Sequence, residues 1–366
     1  MTAAATDLAA RFAAAHPGYA KVRPAPEPVE VSADVAGAMW DTTRNTVELL
    51  RVRALDALGC YPAGEAEWLR GMADPDTLRL CTTFARADFV LGPDGPRLVE
   101  VNVGPTIGGM GILDRYAEVL GHDDLPRPVR VWARALRALA GRERPDVVFV
   151  AADEETGVPH PYETAHFLAA EGIEARVERT AWRGQADLVY GCFTYDQVAG
   201  PPYRDFVERA MATYPVYVAP PAFTLPGNKT LLAGIDDELV ARTWVAQGAM
   251  LAEAARHPER YVLKPAVGYG GRGVVIGAKS RPAVWDAALD GVRDDDHRWV
   301  LQSYVPPHPV TMSTSDGPVA HEIGLGCIFV AGEPGGLLFR QVPVGSAGTA
   351  NVARGALFGG ARVVAA

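Results

Sequence analysis

The sequence predicts a mixed α/β (α+β) protein, and three observations carry that expectation. Apolar residues recur at helical spacing between Val35 and Leu58, at Met39, Val47, Leu50 and Leu55. The period then falls to two over 84–91 and 97–102, as in strands with one buried face. Between 145 and 190, short apolar runs are separated by a helical stretch, the pattern of a small doubly wound sheet buried on both faces.

Length and composition narrow the classes of function. A chain of 366 residues exceeds one ordinary core and suits two or three domains. With 48% apolar and 22% charged residues it can bury a large core and is neither disordered nor fibrous. A net charge of -9 argues against a nucleic-acid partner. It leaves room for nucleotides, because local lysines and backbone amides bind phosphate inside acidic proteins. The four cysteines, Cys60, Cys81, Cys192 and Cys327, form no C-x-x-C pair. Reduced, mostly buried thiols in a cytoplasmic protein are expected, rather than a zinc knuckle or disulfide framework. No apolar run approaches a membrane span, and the Ala-rich start lacks the features of a signal peptide.

Along the chain, residues 1–75 read as a mainly helical segment punctuated by Pro62 and Pro75. Residues 76–125 read as a hairpin, a loop and a helix. Phe84–Leu91 and Arg97–Asn102 alternate on either side of the turn Gly92-Pro-Asp-Gly95, glycines crowd 104–111, and Ile112–Leu120 is helical. The doubly wound unit occupies 126–225 and ends among Pro220, Pro221 and Pro226. A last unit, 226–366, opens on a helix from Asn228. It contains strands at Tyr261–Pro265 and Trp299–Val305 and a hairpin of Gly324–Ala331 with Gly336–Val342.

Three constellations carry chemistry. In the hairpin, Arg86 and Asp88 are two residues apart, as are Glu100 and Asn102, so each pair shares a strand face. On neighbouring strands Asp88, Glu100 and Asn102 converge as oxygen donors of the kind that hold Mg²⁺ beside a triphosphate. Arg86 places fixed positive charge where phosphoryl transfer builds negative charge. Either pair alone is better read as a solvated strand face; both together, followed by a glycine-rich loop, favour a ligand site. The second constellation is Lys264, ending an apolar strand, followed by Gly268, Gly270, Gly271 and Gly273. Glycines admit phosphate oxygens to backbone amides and the lysine adds a point charge. The lysine precedes the glycines and no helix pattern follows, so this is neither a P-loop nor a dinucleotide fingerprint. The third is Lys229, at a predicted helix start where the dipole disfavours it, which slightly favours a ligand role beside the alternative of a solvated lysine.

Together these elements resemble the ATP-grasp superfamily. The resemblance implies ATP and Mg²⁺, with Lys229 and Lys264 on the phosphates and Gly268, Gly270, Gly271 and Gly273 as the phosphate loop. It implies Arg86 as a catalytic arginine, Asp88, Glu100 and Asn102 as metal ligands, and Gly108 and Gly109 in the loop that holds the substrate carboxylate. An adenine-binding hinge would lie at Tyr304 and Val305, after Gln302, which stands where many relatives carry Glu. The order of elements departs from the usual one, since the hairpin precedes the lysines and the α/β unit lies between them. That order is similar to circularly permuted ATP-grasp proteins of the glutathionylspermidine synthetase-like group. There a glycine pair, an arginine and an Asn-x-x-x-Gly end the chain; Gly335-Gly336, Arg340 and Asn351-Val-Ala-Arg-Gly355 match. Arg340 thereby becomes a second catalytic candidate and Asn351 a substrate-binding one. The implied fold is an ATP-grasp domain in permuted order plus a small pre-ATP-grasp α/β domain.

The activity this implies is ligation of a small-molecule carboxylate to an amine through an acyl phosphate, without nucleic acid or membrane as partner. Oligomeric state stays open, a homodimer included. The motifs do not specify the acceptor, so a phosphotransferase and a non-catalytic nucleotide-binding module on the same fold stand as alternatives. His160, His166 and His308, and the run 293–297, read as core or surface rather than as metal ligands. Glu322 and the segment 345–351 are expected along the site.

Overall fold

The computed structural model describes residues 3–15, 22–104, 107, 109–152, 159–198, 200, 203–268, 270–293, 298–314, 317–346 and 355–365. Helix α1 (Ala3–Ala15) and the short strands β1 (Arg23–Pro24) and β2 (Val29–Ser32) precede α2 (Ala33–Val52). Ser32 caps α2 by accepting the Val35 N–H, and Asp34 complements the dipole in its first turn. A 3-10 segment at Ala54–Cys60 and helices α3 (Ala63–Met72) and α4 (Pro75–Thr82) follow, the last capped by Asp74 and opened by Pro75. Strands β3 (Phe84–Gly92) and β4 (Gly95–Val103) form the expected hairpin. Helices α5 (Met110–Leu120) and α6 (Pro128–Ala140) each stop at a left-handed glycine, Gly121 and Gly141.

Then come β5 (Asp146–Ala151), α7 (Pro159–Ala170), β6 (Glu174–Arg179), β7 (Leu188–Cys192), α8 (Tyr195–Val198), α9 (Tyr203–Thr213) and β8 (Tyr217–Val218). Their strands pair in parallel in the order β6-β5-β7-β8. Val147 and Phe149 share a cluster with Trp132, Leu136 and Leu168 from α6 and α7, while Val148 and Val150 share one with Phe206 and Val207 from α9. The unbroken apolar run at 147–150 thus serves two faces.

The remainder holds β9 (Thr243–Val245), α10 (Gly248–Arg256), β10 (Tyr261–Pro265), β11 (Val275–Ile276), α11 (Pro282–Arg293) and β12 (Trp299–Ser303). The chain ends with β13 (Val310–Thr314), β14 (Gly317–Val330), β15 (Glu333–Pro343) and β16 (Leu357–Val364). A small antiparallel sheet runs β11-β10-β12-β9. A large sheet runs β1-β16-β15-β14-β3-β4, with β13 on β14 and β2 on β16.

Two expectations change. Residues 1–75 are not only helical, because β1 and β2 pair in parallel with β16 and tie the start of the chain to its end. Strands of two and four residues are too short to show a period. Nor does Lys229 open an α-helix; Lys229–Leu232 is a single 3-10 turn capped by Asn228, too short to build a macrodipole.

Side-chain alternation places the site. On the large sheet Ala85, Ala87, Phe89, Val101 and Ile323 are buried with Met39, Val47 and Leu50 of α2. Residues of opposite parity point the other way. Among them, Ile328, Leu338 and Phe358 are buried with Met110, Leu113 and Trp132 of α5 and α6. The uncovered part carries Arg86, Asp88, Glu100, Asn102 and Arg340. On the small sheet Tyr261, Leu263 and Leu301 pack on Leu251, Trp285 and Leu289, which turns Val262, Lys264 and Gln302 towards the large sheet. Backbone bonds fasten β4 to the segment that leads into β9: the Leu98 N–H donates to Leu239 O at 2.6 Å and the Ala241 N–H to Leu98 O at 2.9 Å. No helix among the described residues is long and apolar enough to cross a membrane.

Candidate active site

The facing surfaces enclose a cavity of about 380 Å³, within the usual size range of small-molecule sites. Of the residues singled out above, Arg86, Asp88, Glu100, Asn102, Gly109, Lys264, Gly270, Gly271, Gln302, Tyr304, Val305 and Arg340 line it.

Strand register explains the acidic side. Arg86 pairs with Asn102 and Asp88 with Glu100 across β3–β4, and Gly326 of β14 lies opposite Asp88. A Cβ on Gly326 would come within 3.0 Å of Arg86 Cδ, so the bare glycine leaves room for that side chain to lie over β14. Arg86 grips Asp88 through Nε at 2.7 Å and a terminal nitrogen at 3.0 Å. Arg340 reaches Asp88 Oδ1 at 2.9 Å, and the Asn102 amide donates to Oδ2 at 3.0 Å. Burial opposes charge on Asp88, but the two guanidinium groups overcome it and hold the carboxyl well below the usual carboxylate range. Burial also works against the charge on Arg86, and Asp88 with Glu100 more than offsets it. The Nε–H of Arg340 is buried and has no partner among the described residues.

The lysine side depends on a register slip. Between the pairs Asp88–Glu100 and Phe89–Leu98 one residue, Val99, is left over as a bulge. Lys264 Nζ donates to the Val99 carbonyl at 3.0 Å and to Gln302 Oε1 at 2.7 Å. Gln302 Nε2 donates to Thr243 Oγ1 at 2.9 Å, and that hydroxyl donates to Ala241 O at 3.0 Å. Burial lowers the Lys264 pKa to about 8; Glu100 opposes the fall and Lys229 adds to it.

Several expected residues sit elsewhere. Lys229 is buried behind Glu100, with Nζ 3.1 Å from Glu100 Oε1 and 3.1 Å from Gly268 O. It lines a smaller adjoining cavity that Glu100, Asn102 and Gly268 share. Gly273, at φ +71°, lies outside both cavities, where a Cβ would come within 2.8 Å of Pro265 Cγ; its role is packing. Gln302 spends both ends of its amide inside the protein and so orients Lys264. At the expected hinge, the Tyr304 N–H is already spent on Arg260 O at 2.8 Å. Gly108 and Asn351 lie outside the described residues.

Magnesium fits part of the expected donor set. Glu100 and Asn102 line the cavity with oxygens that suit a hard cation whose shell phosphates and water complete. Asp88 does not fit in this arrangement. A carboxylate has about four lone-pair positions, and the contacts from Arg86, Arg340 and Asn102 take them up. Asp88 is instead the shared counter-ion of two arginines. No group of three His, Cys, Asp or Glu among the described residues is placed to hold a metal.

The sequence carried no signal for the Val99 carbonyl or Thr243, because pairing and packing create those roles. It also missed Lys279, whose Nζ lies 2.6 Å from Glu322 on the cavity wall. His160 fits the core reading, with burial and nearby Arg86 lowering its pKa to about 4.

The chain is similar in structure to a glutathione synthetase-like effector from Globodera pallida in its apo form. The TM-score is 0.57 at 15% identity, over 93% of this chain and 90% of that one. That likeness is one of overall mixed α/β fold. Looser matches are a proposed γ-glutamylcysteine synthetase from Methylobacillus flagellatus (TM-score 0.44, 13% identity, 88% and 86% covered) and a D-cycloserine synthetase (TM-score 0.31, 18% identity, 48% and 67% covered). The comparison of folds rests on the first. No family model matches the chain, and no curated protein matches its sequence.

Proposed function

We propose that the protein is an ATP- and Mg²⁺-dependent carboxylate–amine ligase of the circularly permuted ATP-grasp type, in which 76–125 and 226–366 form the nucleotide site and 126–225 is an added α/β domain. One observation carries the reading: a hairpin near the front of the chain and a lysine-bearing strand far behind it line the same cavity, with Arg86, Arg340 and Lys264 facing Glu100 and Asn102.

In this reading adenine lies along Val305 and the hinge, and Lys264 and the amides near Gly270 and Gly271 face the phosphates. A magnesium ion on Glu100 and Asn102 would neutralise charge on the phosphate oxygens. Arg86 and Arg340 hold the substrate carboxylate beside the γ-phosphate. A carboxylate oxygen bonds to the γ-phosphorus as the bond to the departing ADP oxygen breaks. An amine nitrogen then bonds to the acyl carbon, the carbon–oxygen bond to phosphate breaks, and the nitrogen gives up a proton. The protein contributes positioning and fixed charge, not a covalent nucleophile.

The test is a screen for ADP release over carboxylic acids, each with and without amines, with mass detection of the product. An amide plus ADP and phosphate supports the reading. A phosphorylated product without amide points to a phosphotransferase, and tight ATP binding without turnover on any pair points to a binding module.

A further inference from the structure

In the ligase reading a nucleotide uses the part of the cavity lined by Lys264, Gly270, Gly271, Tyr304 and Val305. Beyond Arg86 and Arg340 the cavity wall is made by Val22, Gly109, Ile112, Leu338 and Phe358. Register makes this end continuous with the arginines. Leu338 lies two residues before Arg340 on the same face of β15, and Phe358 of β16 is the cross-strand partner of Arg340. Leu338 and Arg86 also meet over Gly326, where a Cβ would come within 2.8 Å of Leu338 Cδ1 and 3.0 Å of Arg86 Cδ. Gly109, which precedes α5, closes against the same leucine; a Cβ there would come within 2.9 Å of Leu338 Cδ2. Leu338 and Phe358 are nearly inaccessible, so the wall is fixed by the core behind it. Among the described residues, the charged side chains at this end are the two arginines and Asp88, and the Asp88 carboxylate is already spent on those arginines.

We propose that the carboxylate substrate carries an apolar side chain of about the size of leucine or phenylalanine, with its carboxylate at Arg340 and Arg86 and its side chain against Val22, Ile112, Leu338 and Phe358. The proposal rests on the ligase reading for the identity of the reacting group. A second ionised group on that side chain would lose its water without gaining a partner, whereas hydrocarbon gains from leaving water. An acid that leaves this end empty forgoes that gain, and each methylene in such a pocket changes specificity roughly 10–200-fold.

Calorimetric binding of leucine, phenylalanine, alanine, glutamate and isopentylamine to the full chain, with and without Mg²⁺ and a non-hydrolysable ATP analogue, tests this. Leucine or phenylalanine should bind at least about tenfold more tightly than alanine or glutamate. Ile112→Arg and, independently, Val22→Arg should abolish that preference while leaving affinity for the analogue unchanged. Both positions are only partly buried, so neither change empties the core. Glutamate binding as tightly as leucine, isopentylamine taking the site in place of the acids, or no acid binding while the analogue does, each overturns the proposal. Failure of the analogue to bind defeats the ligase reading instead. The acid series measured without nucleotide still decides the subsite, because a leucine preference supports it and its absence overturns it.

Discussion

Lys264 Nζ lies 3.0 Å from the carbonyl oxygen of Val99, a residue 165 positions earlier that the hairpin register leaves unpaired. The bulge turns a backbone acceptor out of the ladder, and a buried lysine from another sheet uses it. Gln302 completes the cradle without adding charge, and burial outweighs the opposing pull of Glu100, so the Lys264 pKa falls to about 8.

This predicts a pH dependence. The cationic form that attracts phosphate prevails below pH 8 and is lost above it, so affinity for an ATP analogue should fall as pH rises from 7 to 9.5. Gln302→Glu places a negative charge beside the ammonium and favours its protonated form. The decline should then move up by about 1 pH unit or more. Titration of analogue affinity against pH in both proteins checks it, and coincident profiles would refute the assignment.

Asp88 and its two arginines make a separate prediction about stability. Replacing Asp88 by Asn removes the shared counter-ion of two largely buried guanidinium groups and leaves Glu100 as partial compensation for Arg86, which should cost about 3 kcal/mol in chemical denaturation. Adding Arg340→Met should recover part of that loss, because the second change removes one of the stranded charges. Purely additive effects of the two substitutions would show that Asp88 and Arg340 are not coupled.

Glu100 should behave differently. It faces the cavity while accepting from Lys229 at 3.1 Å, and Gln in its place keeps an oxygen for that lysine. Glu100→Gln should therefore lower the unfolding midpoint less than Asp88→Asn does, because one oxygen still accepts from Lys229 although its counter-ion is lost. ATP turnover should fall by about 10²–10³-fold, and the Mg²⁺ concentration for half-maximal turnover should rise. Kinetics across a Mg²⁺ series, beside a thermal melt, separate this outcome from the one expected at Asp88.

The contrast between these two carboxylates marks how far the sequence can be read. The R-x-D and E-x-N spacings and the turn between them place Arg86, Asp88, Glu100 and Asn102 on adjoining strands, because a period of two and a tight turn are local properties. Lys264 is legible for the same reason, at the end of a short apolar strand. What Asp88 does with its oxygens is not local. It depends on Arg340 arriving from β15, and on bare Gly326 leaving room for Arg86 over β14. Lys229 shows the reverse error, since the helix-start argument for it dissolves into one 3-10 turn, yet the side chain still reaches Glu100. The pairing of β1 and β2 with β16 left no trace in the pattern, because so few residues cannot express a period.

The last prediction concerns α5, which carries Ile112 at the cavity and Asp114 one half-turn on. Asp114 is 3% exposed, and its Oδ2 accepts the Val129 N–H at 3.1 Å, near the start of α6. Burial pushes its pKa up to about 7, against the opposing pull of that amide and of Arg127 and Arg130. A raised pKa in a carboxylic acid means that the folded state holds a proton the unfolded chain has already released. Stability should therefore fall as pH rises from about 4 through 7, and the penalty for a buried charge is complete above pH 7. Asn at this position keeps an acceptor for the Val129 N–H and carries no charge. Asp114→Asn should accordingly raise stability at pH 8 by on the order of 2–4 kcal/mol and change it little at pH 4. Urea denaturation of both proteins at the two pH values measures the difference. A variant less stable than the parent at pH 8 would mean that the charged carboxylate, through its bond to α6 and its arginines, holds the helices together better than a neutral amide does.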